Sequence, residues 1–427
     1  MTDTTNIPSP EATGPSTVAA EGWLLRRRPG APDEDRVVAL GRDAAHCTEL
    51  LDGGDSWLVA RGRPVPPASV VLMFPGVGDQ RPGLSRDLYH AVPAYRAELD
   101  RVSEMLRPLL DQDLRELLLT DESGPTGWSL RELLQRDAGG PLSRTSLAQP
   151  LVFALEYCLA RLLLHWGVRP AALVGYSIGE YVAACVAGVL DIRDALTLVT
   201  RRAALIEEVP AGAMLVVMLD PGDLAEHLRD DLWLAAVNGA GLCQVSGTPS
   251  AVARLAERLT SAGVATLPAP ARHAFHSPLM DPVARPLERL LENIPLTPPS
   301  IPVLSNVTGD WLTDEEACSP GYWARHLCQP VQFAGNLARM WGMPRVLAVE
   351  VGAGQMLTSL ANQHPARPRG PGTPPVVATL TSRGNDHGEV AAMARVLAHA
   401  WANGAWEPTA AGSGPADAER GKSWTSR

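Results

Sequence analysis

The chain has 427 residues, 45% of them hydrophobic and 20% charged, enough apolar material for two or three domains, one of them large. A formal net charge of −10 argues against a nucleic-acid partner, which needs a basic face. Six scattered cysteines with no Cys-x-x-Cys pair point away from a metal site or a disulfide framework, and towards a reducing, cytoplasmic setting.

Residues 1–20, rich in Thr, Pro, Ser and Ala, lack the basic start and apolar run of a signal peptide and are expected to be disordered. Residues 21–67 hold a strand-like run, Arg36 to Leu40, and a helix, with no evident chemistry. Ser69 to Phe74 is a continuous apolar run closed by Pro75-Gly76, the pattern of a buried strand. Helices are predicted over Ser85–Leu119 and Leu147–His165. The most membrane-like stretch, Leu151 to Val168, is interrupted by Glu156 and Arg161 and reads as a buried helix, so no membrane contact is expected.

Ala171 to Val174 is a second short strand, running directly into Gly175-Tyr176-Ser177-Ile178-Gly179 and a helix to about Ala187. Further buried strands are predicted at Ile301–Leu304, Val346–Val351 and Val376–Leu380. Alternating strands and helices imply an α/β fold with a mostly parallel sheet. Residues 213–270 differ: their pattern follows the β-α-β-β-α-β order of a ferredoxin-like unit, inserted between two segments, 68–212 and 271–405, of the larger domain. A second disordered tail is expected at 406–427.

A Gly-x-Ser-x-Gly run between a strand and a helix is a nucleophile elbow: its glycines permit the sharp turn that projects the Ser177 hydroxyl. Such a serine needs a base. Of ten histidines, His276 lies where the inserted unit returns to the main domain, on a loop able to reach the elbow; spacing alone leaves a surface role equally open.

Several motifs then occur in one order: Phe74-Pro75-Gly76 with Gly78 and Gln80, Gln149-Pro150, the elbow with Glu180, Asn238-Gly239, Ser246-Gly247, His273-Ala274-Phe275-His276-Ser277, Asn306-Val307-Thr308-Gly309, and Gln329-Pro330-Val331-Gln332-Phe333. Together they resemble the malonyl-CoA:acyl carrier protein transacylase family, including acyltransferase domains of polyketide synthases, over about residues 68–405. The resemblance implies an α/β-hydrolase-like core and a ping-pong reaction. Ser177 takes the acyl group from acyl-CoA, His276 is the general base, and a carrier protein's phosphopantetheine thiol receives the acyl group. No bound cofactor is implied. The backbone amides of Val77 and Ile178 form the oxyanion hole, and a main-chain carbonyl around Gln332, with Asn306 as helper, orients the base.

Arg202, 25 residues after Ser177, matches the family arginine that grips the free carboxylate of malonyl. Phe275, Ile178 and the stretch Arg144–Gln149 resemble the malonyl-type versions of their motifs, so Phe275, Tyr176 and Gln149 are the expected acyl-specificity residues. Two positions depart from the family: Val77 stands where glutamine is usual, and Tyr176 where histidine is usual. The expectation is a free-standing cytoplasmic enzyme loading malonyl units in trans for polyketide, and hence antibiotic, biosynthesis. The alternatives are a relative using non-malonyl acyl groups (carrier-to-carrier transfer, acylation of a product hydroxyl, or hydrolytic editing) and an inactive docking scaffold.

Overall fold

A computed structural model describes residues 24–27, 35–53, 56–110, 112–120, 144–380 and 387–407. Of the expected tails, 1–20 and residues 408–427 lie outside these residues, but the second begins later than expected: Trp406 is buried and donates its Nε1–H to Trp166 O at 2.7 Å, because a large apolar ring gains by packing on the core. Strands β1 (Leu24–Arg27), β2 (Arg36–Gly41) and β3 (Val59–Gly62) form a small antiparallel sheet within the 21–67 segment. It leans on helix Gly388–Ala402, where Arg36 Nη1 donates to the Trp401 carbonyl at 2.9 Å.

Strands β4 (Ser69–Phe74) and β5 (Ala172–Gly175) lie side by side at the centre of a parallel five-stranded sheet. Its other members are β10 (Val303–Leu304), β11 (Val346–Glu350) and β12 (Val376–Ala378), in the order β10-β5-β4-β11-β12. Helices cover the faces, which is why these strands read as unbroken apolar runs. Thr145–His165, though long and apolar enough to cross a membrane, is buried over nearly its whole length inside this fold.

The stretch expected as one helix over Ser85–Leu119 is three: Arg86–Ala91, Pro93–Leu106 and Leu114–Leu119. Pro93 is the reason for the first break: it forces Val92 into an extended conformation (φ −112°, ψ 100°) and restarts the helix at its own first position.

Strands β6 (Ala213–Val217), β7 (Leu232–Gly239), β8 (Leu242–Gly247) and β9 (Thr266–Pro268) make a separate antiparallel sheet in the order β7-β8-β6-β9, with helices Pro221–Ala225 and Pro249–Ser261 between them. This is the ferredoxin-like arrangement that the sequence pattern predicts. The sheet is tied to the larger domain through Val331, whose N–H donates to Ala235 O and whose carbonyl accepts from Val237 N–H, both at 2.9 Å.

Candidate active site

Three neighbouring parallel strands end at one place. β4 runs into Pro75-Gly76-Val77, β5 into the Ser177 elbow and β10 into Ser305-Asn306. Sites of open α/β sheets form at the carboxyl ends of their strands. Ser177 adopts φ 52° and ψ −118°, a backbone state costly for a side-chain-bearing residue. Its neighbours show why the motif needs glycine. A Cβ on Gly175 would lie 2.1 Å from the Glu180 nitrogen, and one on Gly179 2.1 Å from the Phe74 carbonyl oxygen.

The structure brings Ser177 and His276 together: Oγ lies 2.8 Å from Nε2. The Nδ1–H of the same ring donates to a main-chain carbonyl at 2.9 Å, and that carbonyl belongs to Gln329, not to Gln332 as the sequence led us to expect. Gln332 instead donates its backbone N–H to the Asn306 carbonyl at 2.7 Å and stands at the N-terminal boundary of helix Phe333–Trp341. Asn306 also differs from expectation. Its Oδ1 accepts the Ser177 N–H at 2.7 Å and its Nδ2 donates to Gly175 O at 2.6 Å, so its side chain fixes the elbow, and only its backbone carbonyl, through Gln332, reaches the segment that holds the base. A backbone acceptor leaves no side-chain signature, which is why sequence motifs placed it three residues off.

His276 is almost fully buried, and its pKa is pushed down to about 3 by burial, then by the neighbouring His326 and Arg202. The imidazole is therefore neutral at physiological pH. With its Nδ1 proton held by Gln329, Nε2 is the free lone pair facing the Ser177 hydroxyl.

Gly76 (φ 72°) presses against the elbow: a Cβ there would meet Tyr176 O at 2.7 Å and the Ile178 Cγ2 at 3.0 Å. Its N–H donates at 2.7 Å to Glu156, a wholly buried carboxyl whose pKa burial pushes well up. Val77 follows and is 44% exposed. Ile178 opens the helix Ile178–Val186, at a position where the N–H has no partner within the helix and the dipole favours negative charge.

Arg202, on helix Ile192–Glu207, is completely buried. Its Nη1 donates to Gln149 Oε1, and its guanidinium lies 5.4 Å over the Tyr181 ring. Nε and Nη2 are buried without a partner, and burial lowers the Arg202 pKa. Tyr176 packs edge-on to Phe333 at 5.2 Å and its hydroxyl donates to Gln244 Oε1 of β8 at 3.4 Å. Phe275 sits edge-on to His273 and packs against an apolar cluster that includes Ile206, Met280 and Leu327.

The family model for the acyl transferase domain matches residues 71–384. The chain belongs to this acyltransferase family. It is 38% identical over 296 residues to a phenolphthiocerol/phthiocerol polyketide synthase of Mycobacterium tuberculosis, covering 69% of this chain and 19% of that protein. The chain thus spans about a fifth of that relative's length. The solved acyltransferase domain of SpnD, in complex with 2-(pent-4-yn-1-yl)malonyl, superposes with a TM-score of 0.77 at 34% identity, covering 88% of this chain and 86% of that one. The malonyl CoA-acyl carrier protein transacylase of Burkholderia pseudomallei superposes at 0.59 with 25% identity, covering 69% and 97%. The acyltransferase is an enzyme of α/β fold with a separate antiparallel subdomain.

Sequence reasoning missed two groups that the structure places at this site. Glu156 behind Gly76 was legible only as an interruption of an apolar helix. Glu180, which follows the elbow glycine directly, carried no predicted role, yet it is fully buried and paired at 3.2 Å with His326.

Proposed function

We propose that this acyltransferase moves a malonyl unit from coenzyme A to the phosphopantetheine thiol of an acyl carrier protein in polyketide biosynthesis, through an ester on Ser177. The observation that carries the reading is Arg202: a wholly buried guanidinium with two unpaired nitrogens, whose charge also acts on His276. An acyl chain ending in a carboxylate supplies the missing acceptors as a charge-assisted pair. A neutral chain leaves those donors unsatisfied at a cost of about 1–3 kcal/mol, which disfavours the non-malonyl alternatives.

In the first half-reaction Nε2 of His276 takes the Ser177 proton as Oγ bonds to the thioester carbon. The resulting oxyanion is taken by the amides of Val77 and Ile178, each such donor being worth roughly 10²–10³ in rate. Collapse breaks the carbon–sulfur bond, and the departing coenzyme A sulfur takes the proton back from His276. In the second half-reaction the carrier thiol gives its proton to Nε2, its sulfur attacks the ester carbon, and Ser177 Oγ leaves and is reprotonated. Gln149, Tyr176 and Phe275 shape the acyl site in this reading: Gln149 holds the near edge of Arg202, and the other two flank the dyad in sequence.

The test is intact-protein mass spectrometry after incubation with equimolar malonyl-, methylmalonyl- and acetyl-CoA, followed by addition of a phosphopantetheinylated carrier protein. The expected result is a malonyl ester on Ser177 that disappears as the carrier gains the same mass. An acetyl adduct in preference to malonyl overturns the carboxylate assignment.

A further inference from the structure

Among the described residues the dyad has no carboxylate in direct contact with its histidine, but one buried carboxylate connects to both of its members. Glu180 lies in the first turn of the elbow helix and has no exposure. Oε2 accepts the Asn306 backbone N–H at 2.7 Å, and the Asn306 side chain in turn holds Ser177 N–H and Gly175 O. The same Oε2 lies 3.2 Å from His326 Nε2, and Oε1 accepts the Tyr322 hydroxyl. Tyr322 and His326 sit one turn apart on helix Pro320–His326.

The chain leaving that helix wraps the catalytic histidine. Leu327 O accepts the His276 backbone N–H at 3.0 Å, Gln329 O accepts Nδ1–H, and the His326 ring packs edge-on to the His276 ring at 5.9 Å. His276 itself is held at φ 57°, a backbone state that needs fixed surroundings. Two segments from different parts of the chain must therefore keep their spacing for Oγ and Nε2 to meet at 2.8 Å.

We propose that Glu180 is the positioning residue of this dyad, fixing Ser177 through Asn306 and the His276 cradle through Tyr322 and His326. The inference rests on the Ser177–His276 reading above. It adds that loss of the carboxylate damages the chemical step while leaving substrate binding intact, because Arg202 and Gln149 are held by other partners. Misplacement of reacting groups by about 1 Å is enough to cost roughly 10²-fold.

The experiment measures steady-state malonyl transfer by Glu180→Gln and Tyr322→Phe. Glu180→Gln keeps the side-chain shape and removes the charge. It is expected to lower kcat by roughly tenfold to a hundredfold with KM for malonyl-CoA within about twofold of the parent. Tyr322→Phe removes one of three donors to the same carboxylate and is expected to show a smaller loss of the same kind. A folded Glu180→Gln with parental kcat, or with the loss entirely in KM, overturns the proposal. If Glu180→Gln does not fold, Tyr322→Phe decides by the same criteria. An acyl adduct persisting in Ser177→Ala sinks the dyad reading itself, an outcome separate from both.

Discussion

Replacing Arg202 by methionine isolates the substrate claim, because methionine keeps an apolar stem of similar reach and removes every N–H. In the parent, Nη1 is already committed to Gln149, while Nε and Nη2 are free for the acyl carboxylate. Hydrogen bonds to a charged group contribute about 1.5–3 kcal/mol each, so two are worth about 3–6 kcal/mol before the carboxylate's desolvation is charged against them. Taking the lower end, the variant loses about 3 kcal/mol of malonyl-CoA recognition, or ~10²-fold in kcat/KM at ~1.4 kcal/mol per decade. For acetyl-CoA the sign reverses. The buried unpaired cation is gone, and so is one of the charges that depress His276, leaving a stronger base. The assay is kcat/KM for malonyl- and acetyl-CoA with parent and variant, read as the ratio of the two. An unchanged ratio, or a parent that already prefers acetyl-CoA, refutes the assignment of Arg202 to the acyl carboxylate.

Ser177→Gly is expected to abolish the acyl-enzyme and yet stabilise the protein by about 1 kcal/mol, because glycine carries no penalty at φ 52°; a lower urea midpoint contradicts the strain argument. The free enzyme's His276 ionises near pH 3, so kcat/KM for self-acylation is expected to show no acid limb from this residue between about pH 5 and 8; a limb near 6.5 speaks against the buried neutral base. Folding stability has its own dependence on the same group. His276 and His399 are both held down to about 3, chiefly by burial, so between 6.5 and 3 the unfolded chain binds more protons than the native one. The contribution of these two histidines is then full above about pH 6.5 and is lost as pH falls towards 3, against the opposite trend of Glu350 and Glu389, which burial holds up at about 7. Thermal unfolding of the parent and His399→Gln across that range is expected to differ most above about pH 6.5, and a constant difference refutes it.

The fold was legible where one physical requirement dominates a stretch of sequence. Ser69–Phe74 and Val346–Glu350 are buried on both faces and read as unbroken apolar runs, and the elbow declares itself because two positions admit no Cβ. The break at Pro93 was equally available from proline's fixed φ and was overridden by the helical periodicity on either side. Arg202 was legible by motif spacing, but its burial was not, since an arginine on a helix otherwise reads as solvated.

The residues that hold the dyad in register were the least legible, for a reason that follows from their chemistry. Gln329 acts through its carbonyl, which every amino acid possesses, so what must be specified is the path of the chain around it. That path is set by Val331 pairing with β7 on one side, by the Gln332 N–H bonded to the Asn306 carbonyl on the other, and by the preceding helix docked on Glu180. None of these contacts follows from local spacing, because each joins elements far apart in the chain. The antiparallel subdomain also reaches the catalytic loop directly, with Ser246 Oγ donating to the Phe275 carbonyl next to His276. The base is thus positioned from both the parallel core and the inserted unit, and a sequence motif reports the reacting atoms while the fold supplies the geometry in which they react.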